Sequence, residues 1–213
     1  MSLLEYELEY ETPAARAATL PVPPRALRQV GTAAARSALA RGMSTIRQSE
    51  YEGEFEGEAL VNPIRRVYPD AMMEHYGHAA AEAESEAEAE AFIGALIPLA
   101  ARLIPRVAPA IIRSSPALLR GVANVTRTLR ANPATRPLVR TVPTIVRRTA
   151  ADINRQSRGG QQVSPHAAVQ ALARQTQRVL GSPQQTRAAL RRNAVVDQRY
   201  HRTASTCQRC LVE

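Results

Sequence analysis

The sequence contains no lysine and no tryptophan, and only eight of its 213 residues are aromatic. All 28 basic residues are therefore arginine, which binds carboxylates and phosphates in a bidentate geometry that lysine does not reproduce. Only two cysteines are present, too few for the disulfide framework of a small secreted fold.

Recognisable targeting and catalytic patterns are also missing. The acidic N-terminus lacks the charged-then-apolar pattern of a signal peptide. We therefore expect a chain that is cytoplasmic as synthesised, with export by a leaderless route or membrane association as alternatives. There is no P-loop, no glycine-rich dinucleotide turn and no Ser/His/Asp arrangement, so we predict a non-enzymatic protein with no catalytic residues and no cofactor.

What the sequence does contain is a division of charge. Through Glu90 it has 16 acidic residues against 8 arginines, whereas from Ala91 onward it has 3 acidic residues against 20 arginines. This division predicts an acidic arm followed by a strongly cationic body. The body would attract acidic protein surfaces, anionic lipid or, without sequence preference, nucleic acid.

The acidic part divides into two predicted segments. Residues 1–61 alternate glutamate with aromatic residues or glycine in YELEYE and YEGEFEGE, and we predict a disordered arm in which only residues 25–41 could form a short helix. Residues 62–90 end in AAAEAESEAEAEAF, which is rich in strong helix formers, and we predict a solvated linker helix there.

For residues 91–200 we predict a helical body, with a flexible tail over 201–213. Ser-Pro pairs mark helix starts, while Asn132-Pro133 and glycines mark helix ends. The fold class is therefore all-α, a small bundle of short amphipathic helices. The helices are predicted at about 79–113 (interrupted), 116–131, 136–157, 165–180 and 183–200.

Three of these helices have one apolar stripe each, with arginine on the opposite side. Because each stripe needs a partner, the helices should pack on one another. The stripes are Leu118, Val122, Val125 and Leu129; Leu138, Val142, Ile145, Thr149 and Ile153; and Val169, Leu172, Thr176 and Val179.

Arginines recur with a spacing of seven residues, which keeps them on one face of a helix. A P-x-[IL]-[ILV]-R phrase also occurs three times, ending at Arg113, Arg120 and Arg147. We consider this face either an ordinary solvated surface or a dedicated anion- or lipid-binding face. The candidate face consists of Arg106, Arg113, Arg120, Arg127, Arg140 and Arg147.

The segment from Ala91 to Ile112 is 22 residues long and apolar, enough to span a bilayer. Arg102 and Arg106 argue against spanning, because each would cost about 3 kcal/mol near the bilayer centre. Packing in the protein core is favoured over an interfacial membrane segment, and spanning is the weakest of the three interpretations.

Two groups of residues resemble parts of metal sites. Cys207 and Cys210 form half a zinc site or a redox pair, with only His201 nearby, and a frayed tail is the favoured interpretation. Glu74 is followed by His75 and His78, which are spaced to share a helix face, but a polar turn is favoured. We therefore predict no metal site.

Three stretches, EYEGEFEGEA, NPIRRVYPDAMMEHYGHAAAEAESEAEAEAF and IPLAARLIPRVAPAI, resemble an uncharacterised family of bacterial proteins. Members with EFEGE-like acidic tracts often occur alongside genes for extracellular contractile injection systems. The resemblance covers about residues 50–150 and implies a cargo or accessory protein of such an assembly. It assigns no catalytic residues.

These observations lead to three functional hypotheses. The first is a structural or interaction protein of a larger bacterial assembly, whose acidic arm folds back on the arginine face or docks a basic surface elsewhere. The second is a membrane-active effector whose arginine-rich helices bind anionic lipid. The third is a non-specific nucleic-acid binder, although the body has almost no aromatic residues for base stacking.

Overall fold

The computed structural model describes residues 20–46, 69–103, 108–159 and 163–209, and within these ranges it contains helices and no β-strand. The predicted all-α class is confirmed. In chain order the helices are α1 (Pro24–Ile46), α2 (Pro69–Glu82), α3 (Glu86–Gly94), α4 (Leu96–Leu103), α5 (Ala108–Arg130), a 3-10 helix (Arg136–Thr141), α6 (Val142–Arg158), α7 (Pro165–Leu180) and α8 (Pro183–Arg209).

The apolar stripes predicted for the body form the centre of the bundle. All thirteen stripe residues are buried, and Leu129, Leu138 and Val169 are completely inaccessible. The arginines lie on the outer sides of the same helices, as the helical period requires. The amphipathic prediction is therefore confirmed for α5, α6 and α7.

Several predicted helix boundaries are also confirmed. Ser164 caps α7 by accepting a hydrogen bond from the Ala167 amide at 3.2 Å, and Ser182 accepts one from Gln185 at the start of α8. Helix α7 ends before Gly181, which follows its last turn. The sequence therefore places these helix ends correctly.

One predicted boundary is wrong. Ser115-Pro116 does not begin a helix, because α5 runs continuously through it with Pro116 inside. Proline there removes only the hydrogen bond to the carbonyl of Ile112, which is an exposed residue. The Ser115 hydroxyl instead donates to the Ile111 carbonyl at 2.9 Å.

Helix α1 confirms the short helix expected over residues 25–41, but it is longer, spanning residues 24–46, and it packs between α5 and α7, so this part of the predicted arm belongs to the bundle. Leu27, Ala34 and Ala38 are completely buried. Helix α1 approaches α7 closely because it has glycine at the contact: a Cβ on Gly42 would lie only 2.6 Å from Val169. The YELEYE and YEGEFEGE tracts lie outside the described residues.

Two further boundaries differ from the sequence prediction. The predicted linker helix over 62–90 is two helices, because α2 ends at Glu82 and Ser85 caps α3 by accepting from the Glu88 amide at 3.1 Å. Buried alanines hold both helices against the body, so this segment is not simply solvated. At the other end, α8 continues to Arg209 rather than stopping near residue 200.

The described residues of the apolar stretch from Ala91 to Ile112 lie in α3, α4, the turn between them and the first turn of α5, and Ile93, Leu96 and Ile97 are buried in the core. This arrangement agrees with the core interpretation of the segment. Among the described helices, none has the length and apolar character needed to cross a bilayer.

Candidate functional site

Acidic and basic segments that are separate in the sequence contact each other in the fold. Of the nine carboxylate side chains in the described residues, seven lie between residues 69 and 94. We call this segment, α2 with α3 and their connection, the acidic layer. It packs over the arginines of α5, the 3-10 helix, α6 and α8, so part of the acidic region folds back onto the body.

Arg127 binds the α3 end of the acidic layer. Its Nε lies 2.6 Å from Glu86 Oε1, and a second guanidinium nitrogen donates to Glu90. The hydrogen bond to Glu86 is the main reason that the pKa of Arg127 is raised. The Arg127 side chain is 40% exposed, so this pair contributes only a modest stabilisation.

Arg130 and Arg136 bind backbone carbonyls at the C-terminal end of α2. Arg130 donates to the carbonyls of Ala80 and Ala83 at 2.6 and 2.9 Å, and Arg136 Nε donates to that of Ala81 at 3.1 Å. These carbonyls have no partner within their helix and lie at its negative end. The two guanidinium groups of this cap lie close together. Burial of Arg130 and repulsion from Arg136 lower the pKa of Arg130.

At the other end of α2, Glu74 is almost completely buried, and burial raises its pKa. Arg192 Nε lies 3.0 Å from one of its carboxylate oxygens, while the Asn193 amide lies 3.1 Å from the other. Arg192 also binds Asp70. This network ties α2 to α8 with its charged groups partnered.

The predicted arginine face does not remain one open surface. Arg113 and Arg120 are exposed on α5. Arg127 faces α3, whereas Arg140 lies 2.8 Å from Glu82 and Arg147 lies 3.7 Å from Asp70. The acidic layer therefore covers the part of the predicted face contributed by these last three residues. Arg106 lies outside the described residues.

A second basic region lies where α1 packs against α7. An open groove of about 410 Å³ runs between α1 and α7, and we call it the α1–α7 groove. Arg36 and Arg174 are exposed at its sides, and a guanidinium nitrogen of Arg174 lies 3.5 Å from a carboxylate oxygen of Asp152. The groove is lined by Thr32, Ala35, Arg36, Leu39, Gln170, Ala173, Arg174 and Gln177.

Three of the four histidines of the chain converge on one buried carboxylate, that of Asp197 on α8. His75 Nδ1 on α2 lies 3.0 Å from Asp197 Oδ1, and His201 Nε2 lies 3.6 Å from the same oxygen. His78 Nδ1 lies 3.8 Å from Asp197 Oδ2. We call these four residues the histidine cluster.

Neighbouring side chains fix the histidine cluster. The Tyr200 ring stacks on that of His75 with centroids 4.4 Å apart, and the His201 ring meets His75 edge-on. His78 Nε2 lies 3.1 Å from Glu82, and burial lowers the pKa of His78. The imidazole of His78 is therefore favoured in its neutral form.

The sequence interpretation of His75 and His78 as a polar turn is wrong, because both lie within α2. Their partners were not found from the sequence, since Asp197 is 122 residues from His75. Asp197 and His201 are spaced i, i+4, but the predicted helix ended at residue 200, so this spacing pointed to a shared site only once α8 was seen to continue to Arg209. The side chains of Cys207 and Cys210 lie outside the described part of the structure.

Comparisons of the chain with family models, curated proteins and solved structures gave no significant match.

Proposed function

We propose that this chain is a non-enzymatic interaction protein that binds an acidic segment of a partner protein in its α1–α7 groove. The observation that supports the proposal is an excess of cation: the described residues contain 23 arginines and nine carboxylates. Seven of those carboxylates belong to the acidic layer on the other side of the molecule. Within the described ranges, Asp152 lies 3.5 Å from Arg174, and Arg36 has no carboxylate partner.

The chemistry of the groove fits a segment that alternates carboxylate and apolar side chains. Ala35, Leu39 and Ala173 provide an apolar surface, and Arg36 and Arg174 provide guanidinium groups at its sides. Such a segment would pair its carboxylates with arginine while its apolar side chains contact Leu39. The acidic layer is an internal precedent, because arginines of this protein already bind glutamates there.

An acidic protein is favoured over the two other classes of partner. Membrane insertion of the segment from Ala91 to Ile112 would remove Ile93, Leu96 and Ile97 from the core. Binding to single-stranded nucleic acid relies on aromatic stacking, and no aromatic residue lines the groove. The proposed setting is a larger bacterial assembly, such as the injection systems suggested by the resemblance.

The test uses a labelled peptide that copies residues 50–59, EYEGEFEGEA, which has the required alternation. The protein is the full chain with Glu52, Glu54, Glu56 and Glu58 changed to Gln, so that its own tract does not compete. Fluorescence anisotropy should show saturable binding that weakens as salt increases. Adding the substitutions Arg36→Gln and Arg174→Gln should weaken binding about tenfold, the effect of losing about 1.4 kcal/mol.

The matched control changes Arg187 and Arg191 to Gln, which removes the same charge from exposed positions on α8. This control should retain binding within about twofold. Equal weakening by both pairs would contradict the groove and indicate a diffuse cationic surface. Tighter binding to anionic vesicles or to RNA than to the peptide would favour the second or the third functional hypothesis instead.

A further inference from the structure

The histidine cluster has the composition of a metal site. Imidazole nitrogen and carboxylate oxygen are the usual ligands of Zn²⁺ and of neighbouring transition metals. Asp197 and His201 are one helical turn apart on α8, and His75 approaches them from α2. One potential ligand atom from each of the three lies within 4.8 Å of the others.

The distances within the cluster are close to those of a metal's ligand shell. Two ligands that are each about 2.0–2.1 Å from a tetrahedral zinc ion lie about 3.3–3.4 Å from one another. The separations from Asp197 Oδ1 to His75 Nδ1 and to His201 Nε2, 3.0 and 3.6 Å, lie on either side of this value. The ligand atoms of His75 and His201 lie within 4.8 Å of one another, and the two imidazoles would move toward a common ion to complete the shell.

His78 provides an independent observation that points to a ligand. Its Nδ1 is buried and has no hydrogen-bond partner, although it lies 3.8 Å from Asp197 Oδ2. Its Nε2 is 3.1 Å from the Glu82 carboxylate. His78 therefore presents an unpaired nitrogen beside the Asp197 carboxylate, held there by Glu82, next to the three residues whose ligand atoms lie within 4.8 Å of one another.

The surroundings suit a bound cation as well. Arg140, the arginine whose charge repels a cation at His78, is itself paired with Glu82 at 2.8 Å. His201 is 59% exposed, which leaves a side of the cluster open to incoming ions.

We propose that His75, Asp197 and His201 bind a divalent transition-metal ion, with zinc as the reference ion, and that water completes its coordination. The ion would connect α2 to α8 and so fasten the acidic layer to the end of the body. This proposal does not depend on binding of acidic segments in the α1–α7 groove.

The test uses the full chain without a polyhistidine tag, dialysed against a chelator and then titrated with ZnCl₂ by calorimetry. We expect one zinc ion per chain and a higher Tm when zinc is added. The substitution His201→Ala should weaken zinc affinity at least about tenfold and abolish the rise in Tm, and Asp197→Asn should do the same. With Co²⁺, the wild-type chain should develop visible absorption bands that His201→Ala lacks.

The control is His166→Ala, which removes an exposed histidine on α7 outside the cluster and should leave zinc binding unchanged. A second control changes Cys207 and Cys210 to Ser, and it should also retain binding. Equal zinc affinity in the wild type and in His201→Ala would overturn the proposal. Loss of binding only in the cysteine variant would overturn it too, because the thiols would then be the site.

Discussion

Helix α1 and the acidic layer both precede the arginine-rich body in sequence, yet they attach to it by different physical means. Helix α1 uses close apolar packing, with Leu27 buried and Gly42 leaving room for Val169 of α7. The acidic layer adds to its buried alanines a set of guanidinium contacts, from Arg127 to carboxylates and from Arg136 to carbonyls. Charge alone therefore does not tell which segment belongs to the fold.

The largest expected effect is on the α1 side. Leu27→Ala should lower the free energy of unfolding by about 2–5 kcal/mol, because it leaves a cavity beneath α1. Urea denaturation measures this loss, which should change little with salt. Leu39→Ala, at a half-buried position in the groove, is the control and should cost clearly less. Equal losses would mean that α1 is not anchored through its buried side.

The same comparison shows why truncation is a poor probe of the acidic tracts. Removing residues 1–60 would remove α1 together with its buried side chains. Substituting glutamates within the tracts leaves that packing intact, which is why the peptide-binding test uses glutamine variants.

An intermediate effect is expected where arginine caps the acidic layer. Arg136→Ala should lower the free energy of unfolding by about 1–3 kcal/mol, because it leaves the Ala81 carbonyl without its donor. Chemical denaturation measures this loss and compares it with that of Arg36→Ala. Because Arg36 is exposed, its substitution should lower the free energy of unfolding by less than about 0.5 kcal/mol. A loss from Arg136→Ala no larger than that from Arg36→Ala would show that the cap contributes nothing.

The smallest effect is expected for the exposed ion pairs. Arg127→Gln should lower the free energy of unfolding by about 0.5 kcal/mol at low salt, since it removes the charge that faces Glu86 and Glu90. In about 1 M NaCl the Debye length falls to about 3 Å, and the difference from wild type should disappear. Denaturation curves at both salt concentrations measure it. A loss that persists in high salt would identify packing, rather than charge, as the role of Arg127.

The arginines beneath the acidic layer and those of the α1–α7 groove cannot be told apart from the sequence. A spacing of seven predicts that Arg113, Arg120 and Arg127 share a side of α5, but it does not predict what lies over them. The acidic layer lies over Arg127, and α1 brings Arg36 alongside α7 to form a groove that no local pattern indicated. These outcomes depend on which helices become neighbours.

The sequence by itself determined the helical class, the buried stripes of α5 to α7, both ends of α7 and the start of α8, because periodicity and capping act within a few residues. Tertiary structure alone decided that α1 belongs to the core, that the acidic layer neutralises one arginine surface, and that His75 meets Asp197 and His201. Those results require contacts between residues many positions apart, and they follow from close packing and the partnering of buried charge rather than from local preference.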